Sequence, residues 1–332
     1  MNAKQHELFR YDTMCDAAAA QVIKKYSTSF YATTRLFPAH IRRDIRNLYA
    51  VVRIADEIVD GAHEQAYSIT PLDRLPETKP QPKDSFCSGP EFTSGHEYEA
   101  RCETLDNYQA RALAAPQFRF HTDPILHAYA NTARRCCFNN EHLRAFFASM
   151  RMDITHTSFN DEALAAYIYG SAEVIGLLCL DIFYADQPQP TPEQYEVIRI
   201  GAQRLGAGFQ KVNFLRDYND DLSTRQRDYY PALRGEHRAE ALTVLLEEIK
   251  ADLDAGEQAI ALLPVYIQPA VRAATLIYRE LVEILTQSPE IVIGSNTEPK
   301  RVSVPNHRKL GFLARSLTSC GLETLETRLR RK

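Results

Sequence analysis

The 332-residue sequence lacks three features that would each have indicated a class of protein. It has no excess of basic charge, since 39 Lys and Arg residues against 43 Asp and Glu residues give a net charge of -4. This balance argues against a general nucleic-acid-binding protein, so we expect no nucleic-acid partner. Its 7 cysteines show no CxxC spacing, so neither a disulfide framework nor a zinc site is expected.

The third missing feature is a long apolar run. The best stretch, VIGLLCL at 174–180, stops at Asp181 and is far shorter than the roughly 18 residues that a membrane span needs. The first residues, MNAKQHELFRYD, are too polar for a signal peptide. With unpaired cysteines, this predicts a cytoplasmic protein. The basic residues within 328–332 favour a solvated helix end, and peripheral contact with anionic lipid at the inner membrane face is the alternative.

Helical periodicity is what the sequence does contain. Apolar residues recur at spacings of three and four from Ile41 to Val59, between Pro38 and Gly61, which are typical start and stop residues of a helix. Few stretches alternate between polar and apolar residues, so we predict an all-α fold. Similar helical patterns cover roughly 14–26, 98–114, 123–136, 140–152, 161–184, 192–220, 238–260 and 266–287.

One segment interrupts this pattern. Residues 70–95 contain five prolines and no periodicity, which is typical of a flexible surface insertion. Because the helices on both sides share the same amphipathic character, we predict a single domain over 1–332.

Acidic residues mark one face of the helix around residue 55. Asp56 and Asp60, in VVRIADEIVDG, lie four residues apart, so they share a helix face and should repel each other by a few tenths of a kcal/mol. Arg53 lies one turn before them. Tyr49 and these three residues run beside the buried stripe, which predicts that they line a cavity or its edge.

A second acidic face occurs in FQKVNFLRDYNDD, residues 209–221, where Gln210, Asn213, Asp217 and Asp221 share one side of a helix. Two such helices facing each other would gather four carboxylates, which is costly unless cations neutralise them. Carboxylate oxygens suit Mg²⁺, which usually binds one or two of them together with substrate phosphates. The pattern therefore favours a metal–diphosphate site, and two solvated acidic helix ends are the alternative.

Glycines inside helical patterns leave a further choice open. Close packing between helices is the ordinary explanation for them, since each costs about 1 kcal/mol relative to alanine. The other explanation is space for a bulky apolar ligand. The glycines in question are Gly170, Gly176, Gly201, Gly206 and Gly208.

Six segments together resemble the squalene/phytoene synthase family, and within it bacterial phytoene synthases of the actinobacterial type. The resemblance implies an isoprenoid-synthase-type helical bundle around a central cavity. It also implies head-to-head condensation of two prenyl diphosphates in carotenoid biosynthesis, with Mg²⁺ or Mn²⁺ and without a nicotinamide cofactor. The segments are YSTSFYATTRLFP (26–38), LYAVVRIADEIVDG (48–61), YIYGSAEVIGL (167–177), GFQKVNFLRDYNDD (208–221), RDYYP (227–231) and RVSVPNHRKL (301–310).

The resemblance also implies roles for individual residues. The metal ligands would be Asp56, Asp60, Asn213, Asp217 and Asp221, and the four aspartates with Tyr167 would be catalytic. Contacts to the substrate are implied for Ser27, Ser29, Phe30, Tyr49, Arg53, Gln210, Asn213, Arg216, Arg227, Tyr229, Tyr278 and Arg301.

The sequence departs from the family pattern at three positions. Thr28 stands where a basic residue is frequent, Glu57 replaces a common aspartate, and Glu173 interrupts a stretch that is usually small or apolar. The expected reaction joins two geranylgeranyl diphosphates to phytoene via prephytoene diphosphate, with a carotenoid desaturase as a downstream partner. A squalene or dehydrosqualene synthase that uses farnesyl diphosphate, and a non-catalytic relative, are the alternatives.

Overall fold

The computed structural model describes residues 3–63, 94–294 and 302–330, and within these ranges the regular elements are helices. The all-α prediction is confirmed. The predicted insertion at 70–95 falls outside the described residues except for its last two residues, which begin a helix, and Arg301 also falls outside them.

The helices are numbered here in chain order. They are α1 (Ala3–Tyr26), α2 (Thr28–Thr34), α3 (Ala39–Asp60), α4 (Ser94–Ala114), α5 (Pro124–Cys136), α6 (Asn140–Thr155), α7 (Asp161–Ile168), α8 (Val174–Tyr184), α9 (Pro192–Ser223), α10 (Arg238–Ile260), α11 (Gln268–Gln287), α12 (Glu290–Ile293) and α13 (Asn306–Arg330).

The two helices that carry the acidic faces begin and end where their local sequences dictate. The α3 helix starts directly after Pro38 and ends at Gly61, as predicted. The α9 helix starts with a capping box, in which the Thr191 side chain accepts a hydrogen bond from the backbone N–H of Gln194 and the Gln194 side chain accepts one from that of Thr191. Pro192 occupies the first helical position, where its missing N–H costs nothing.

A π-helical turn, Tyr169–Glu173, joins α7 to α8 without a break. The resulting continuous helix, Asp161–Tyr184, could cross a membrane by length and composition alone. It packs against α6 and α9 within the bundle, and core helices share this composition. Turns of this kind inside α-helices often occur at functional sites, because they redirect the side chains that follow.

Close crossings between helices explain the internal glycines. A Cβ atom at Gly206 of α9 would lie 2.6 Å from the carbonyl oxygen of Ala172, and one at Gly176 of α8 would lie 2.5 Å from that of Ala202. Close packing, the first of the two explanations, therefore applies at both positions, and both glycines also line the internal cavity, as the second explanation requires. The same crossings bring α8 and α9 together along one wall of an internal cavity.

Candidate active site

A cavity of about 320 Å³ lies between α2, α3, the π-helical turn, α8, α9, α10 and α11. Its polar end is formed by residues from three of these helices, all predicted as site residues. Its other walls are mostly apolar and include Phe37, Phe183 and Leu263. The residues of the polar end are Tyr49 of α3, Gln210 and Asn213 of α9, and Tyr278 of α11, while Thr33, Thr34 and Ser171 are further polar residues of the lining.

Aromatic side chains close over the polar end. The rings of Phe209 and Tyr278 are stacked with their centroids 3.9 Å apart, and the Phe30 ring lies 6.0 Å from that of Tyr278. The Tyr278 hydroxyl donates to Oδ1 of Asn213 at 3.4 Å. Phe30 is held there because the Ser27 hydroxyl caps α2, accepting from the Phe30 backbone N–H at 3.3 Å.

Ser27 therefore acts in this structure as the residue that starts α2, while Ser29 and Thr28 lie in the first turn of that helix. Ser29 is half-buried and Thr28 is exposed. Neither belongs to the described cavity lining.

The four predicted aspartates follow this polar end along α3 and α9. Asp56 lies one helical turn after the lining residue Val52, and Asp217 lies one turn after Asn213. Asp60 and Asp221 each lie one turn further along the same helices. Asp56 accepts from Arg53 at 2.5 Å. The Arg53 guanidinium also pairs with Glu57, and it lies over the Tyr26 ring at 4.2 Å from the centroid. Glu57 thus competes with Asp56 for the predicted phosphate-binding arginine.

The second aspartate pair is matched by arginines in the same way. Arg216 contacts both carboxylate oxygens of Asp217, with its Nε 3.0 Å and its Nη2 2.5 Å away. Arg225 lies one turn beyond Asp221, and its Nη1 donates to Asp221 at 2.6 Å. Arg225 was not predicted from the sequence, although its spacing of four residues from Asp221 is typical of an ion pair on a helix.

Arginines also connect the two acidic helices. Arg227, a predicted substrate contact, donates to Oδ2 of Asp60 at 2.8 Å and also contacts the other oxygen of this carboxylate. The Nε atom of Arg225 lies 3.9 Å from Asp60. Each of the four aspartates is therefore paired with an arginine. The cations that the carboxylates were expected to need therefore include arginines of the protein itself, among them Arg225 and Arg227.

Tyr167 and Tyr229, predicted for catalysis and substrate binding, are buried beneath the site rather than in the described lining of the cavity. Their hydroxyls donate to the same carboxylate, Asp153, at 2.8 and 3.0 Å. Arg227 is also buried and lies 3.4 Å from Asp153. Asp153 was missed by the sequence analysis, because nothing in its local pattern distinguishes it from other helical polar residues.

Burial shifts the titration of the acidic groups upward. Burial raises the pKa of Asp56 to about 6, against the opposing effect of Arg53. Burial likewise raises the pKa of Asp221 to about 6, opposed by Arg225. The pKa of Tyr49 is raised by burial to about 12, so this residue is a neutral hydroxyl at physiological pH.

The chemistry of these groups fits a magnesium–diphosphate ligand. In the described ranges no three acidic, histidine or cysteine side chains are gathered tightly enough to enclose a metal ion by themselves. Mg²⁺ needs fewer protein ligands when phosphate oxygens and water complete its shell. Paired carboxylates on two helices, with arginines beside them, provide that donor set. Asp56, Asp60, Asp217 and Asp221 are therefore the residues that would hold the metal.

Glu173, the unusual residue of the π-helical turn, does not enter the described lining of the cavity. Its carboxylate accepts from the Gln203 side chain at 2.9 Å. The departure at Glu173 therefore adds no charge to the described cavity lining, because its carboxylate points towards Gln203 of α9.

The fold is that of an isoprenoid synthase. A crystal structure of a dehydrosqualene synthase with a bound ligand superposes with a TM-score of 0.70 at 18% identity, covering 94% of this chain and 98% of that one. The family model described as squalene/phytoene synthase matches residues 23–308. The chain belongs to the squalene/phytoene synthase family, whose members are prenyl-transferring synthases.

Two relatives that match most of this chain are described, wholly or in part, as phytoene synthases. A phytoene synthase from Arthrospira platensis is 24% identical over 312 residues, with 87% of this chain and 88% of the relative covered. A bifunctional lycopene cyclase/phytoene synthase from Leptosphaeria maculans is 26% identical over 303 residues, with 85% of this chain covered. The chain spans about half, 48%, of the length of that bifunctional relative.

Proposed function

We propose that this protein is a phytoene synthase that joins two geranylgeranyl diphosphates head to head. The observation that carries the proposal is the continuity of the cavity. A polar end beside two arginine-paired aspartate motifs leads directly into an apolar chamber, as an ionic head group with a long hydrocarbon tail requires. Relatives described as phytoene synthases support the choice of product.

The arginines and the aspartates of the site have different roles in the proposed reaction. Arg53 and Arg216, which lie beside Asp56 and Asp217, would bind the diphosphate oxygens in the bidentate manner that guanidinium groups favour. Mg²⁺, held by the aspartates, would supply the positive charge that lets the diphosphate leave. Loss of diphosphate creates an allylic cation, which the double bond of the second substrate must attack before water does.

Exclusion of water is the contribution of the cavity walls. The stacked rings of Phe209 and Tyr278, with Phe30 above them, shield the place where the apolar chamber meets the polar end. Such shielding prevents water from capturing a reactive intermediate. Aromatic faces also stabilise a nearby cation, by about 0.5–2 kcal/mol.

The second candidate is a squalene or dehydrosqualene synthase that uses farnesyl diphosphate, since the fold of a dehydrosqualene synthase covers almost the whole chain. The third alternative, a non-catalytic relative, is disfavoured because both aspartate pairs and their arginines are in place. Discrimination between prenyl tails depends on the burial of methylene groups, each contributing about 0.8 kcal/mol.

The test is to incubate the purified protein with Mg²⁺ and either geranylgeranyl or farnesyl diphosphate, with and without NADPH, and to identify the hydrocarbon. We expect phytoene from geranylgeranyl diphosphate in both conditions. Strong preference for farnesyl diphosphate, or a product that changes to squalene when NADPH is added, would overturn the proposal in favour of the second candidate.

The same proposal sets the cellular context. The substrates are prenyl diphosphates and the product is a hydrocarbon that a carotenoid desaturase would consume. We place the protein in the cytoplasm, with peripheral contact at the membrane as the route by which the hydrocarbon leaves. No nicotinamide cofactor is required by this reaction.

A further inference from the structure

A carboxylate with no role in the proposed reaction lies directly beneath the acidic site. Asp153, in the last turn of α6, has a side chain that is only 1% exposed. It accepts hydrogen bonds from the hydroxyls of Tyr167 at 2.8 Å and Tyr229 at 3.0 Å. A buried charge is retained only where its partners compensate for lost water, and the two tyrosine hydroxyls provide part of that compensation.

The third partner of Asp153 connects it to the predicted metal site. The Arg227 guanidinium lies between two carboxylates, with its Nη1 atom 3.4 Å from Asp153 and 2.8 Å from Oδ2 of Asp60. The α6 carboxylate and the α3 carboxylate therefore share one buried cation. Burial raises the pKa of Asp153, and the Arg227 charge and the two tyrosine hydroxyls oppose that rise.

The backbone fixes this shared cation in place. The N–H of Asp228, next to Arg227, donates to the carbonyl oxygen of Thr157 at 2.9 Å, and the N–H of Phe159 donates to the carbonyl oxygen of Asp228 at 3.2 Å. The segment after α9 is thereby attached to the segment after α6. These bonds fix the backbone position from which the Arg227 side chain reaches both carboxylates.

We propose that Asp153 is a positioning residue for the metal–diphosphate site, acting through Arg227. Two carboxylates around one guanidinium leave one negative charge that Arg227 does not compensate, and a metal ion at Asp60 can use it because Arg225 lies farther from Asp60, at 3.9 Å. Without Asp153, the full charge of Arg227 would fall on Asp60 and compete with the metal. The inference rests on the proposed function, since it concerns the same site.

The experiment measures Mn²⁺ binding to the full-length protein by electron paramagnetic resonance, with inorganic diphosphate present and no prenyl substrate. For Asp153→Asn we expect metal affinity to fall about 10-fold, the usual effect of losing a group that orients a metal ligand. The matched control is Asp252→Asn. Asp252 is also 1% exposed and pairs with two cations, Arg204 and Lys211, each at 3.0 Å, but it has no link to Asp60.

A double variant shows whether the effect passes through Arg227. In an Arg227→Gln background, Asp153→Asn should change the metal affinity less than about twofold, because coupled residues are not additive. Unchanged affinity in Asp153→Asn, or the same loss in both backgrounds, would overturn the proposal. So would an equal loss in Asp252→Asn.

Folding is checked by circular dichroism. If Asp153→Asn does not fold, Tyr229→Phe serves as the second variant, because it keeps the carboxylate and removes one donor that stabilises its charged form. We then expect about threefold weaker metal binding, and unchanged binding overturns the proposal. Wild-type protein that binds Mn²⁺ but forms no hydrocarbon contradicts the proposed function alone, whereas wild-type protein that binds no Mn²⁺ overturns both.

Discussion

At the scale of single residues, the site is a set of carboxylates whose charges are already balanced inside the protein. Asp56 and Asp217 each pair with an arginine of their own helix. Asp60 and Asp221 pair with Arg227 and Arg225, which lie in the segment that follows α9. A metal–diphosphate ligand must therefore displace or share these arginines. Two predictions follow from this competition.

The first concerns pH. Because burial raises the pKa of Asp56 and of Asp221 to about 6, protons compete with metal ions below that pH. We expect the Mg²⁺ affinity, measured by calorimetry with diphosphate present, to fall as the pH falls from 7 to 5. The apparent pKa of the transition belongs to the group of coupled carboxylates. An affinity independent of pH over this range would contradict the role of these residues.

The same pKa shifts determine whether the free energy of unfolding rises or falls with pH. Between roughly pH 4 and 6 the folded metal-free protein binds more protons at these residues than the unfolded chain does. Their contribution to the free energy of unfolding is therefore largest at low pH and is lost as the pH rises through 6. Bound Mg²⁺ should reverse this trend, because it stabilises the ionised carboxylates of the folded state.

The second prediction concerns Arg225, which contacts Asp60 and Asp221 from the same side. Arg225→Gln should lower the melting temperature of the metal-free protein by a few degrees, about 2–4 °C for each kcal/mol of lost stability. The stabilisation by Mg²⁺ and diphosphate should become larger than in the wild type, because a competing cation is gone.

Arg199→Gln is the matched control. Arg199 is 35% exposed, compared with 34% for Arg225, and it also pairs with a carboxylate of α9, Glu196, at 2.6 Å. Its replacement should leave unchanged the rise in melting temperature that Mg²⁺ and diphosphate cause. If Arg225→Gln shows the same rise as this control, Arg225 does not compete for the acidic residues.

At the scale of elements, the cavity depends on how closely α8 and the π-helical turn cross α9. Gly206→Ala would place a methyl group 2.6 Å from the Ala172 carbonyl oxygen, so one helix must move. We expect a loss of about 1–3 kcal/mol in the free energy of unfolding, as for other overpacked cores. Denaturant unfolding followed by circular dichroism measures this loss.

Gly311→Ala provides the comparison within the same protein. Gly311 lies inside α13, where a new Cβ atom would meet nothing within 4 Å. Alanine is favoured over glycine in a helix by about 1 kcal/mol, so this variant should be neutral or slightly more stable. Equal stability of the two variants would show that the crossing of the π-helical turn and α9 can expand without cost.

The elements also show where pattern reading succeeds. The helices around the acidic motifs were predicted because their apolar stripes repeat, and for the first of them Pro38 and Gly61 give clear boundaries. The α2 helix was missed, since seven residues are too few to display a period. The α13 helix was missed as well, and tertiary contact with α11 is what supports it.

At the scale of the whole molecule, the sequence predicted which helix faces hold the functional residues, but it did not predict the buried residues that contact them. Helix spacing places Gln210, Asn213 and Asp217 on one side, and the structure brings the first two to the cavity. Helix spacing cannot reveal that Asp153, 64 residues before Asp217, contacts Arg227, because that pairing depends on the backbone hydrogen bonds that attach the segment after α9 to the segment after α6. Such long-range partners determine the electrostatics of the site.

In the proposed function, the aspartate motifs and the cavity together condense two prenyl diphosphates. The most direct measurement quantifies diphosphate release and hydrocarbon from geranylgeranyl diphosphate and Mg²⁺, for the wild type, Asp217→Asn and the exposed control Asp254→Asn. We predict two diphosphates released per phytoene by the wild type and by the control. Asp217→Asn should retain its helical circular dichroism signal and lose about 10- to 100-fold in rate. Full activity in Asp217→Asn, or no diphosphate release by the wild type, would contradict the account.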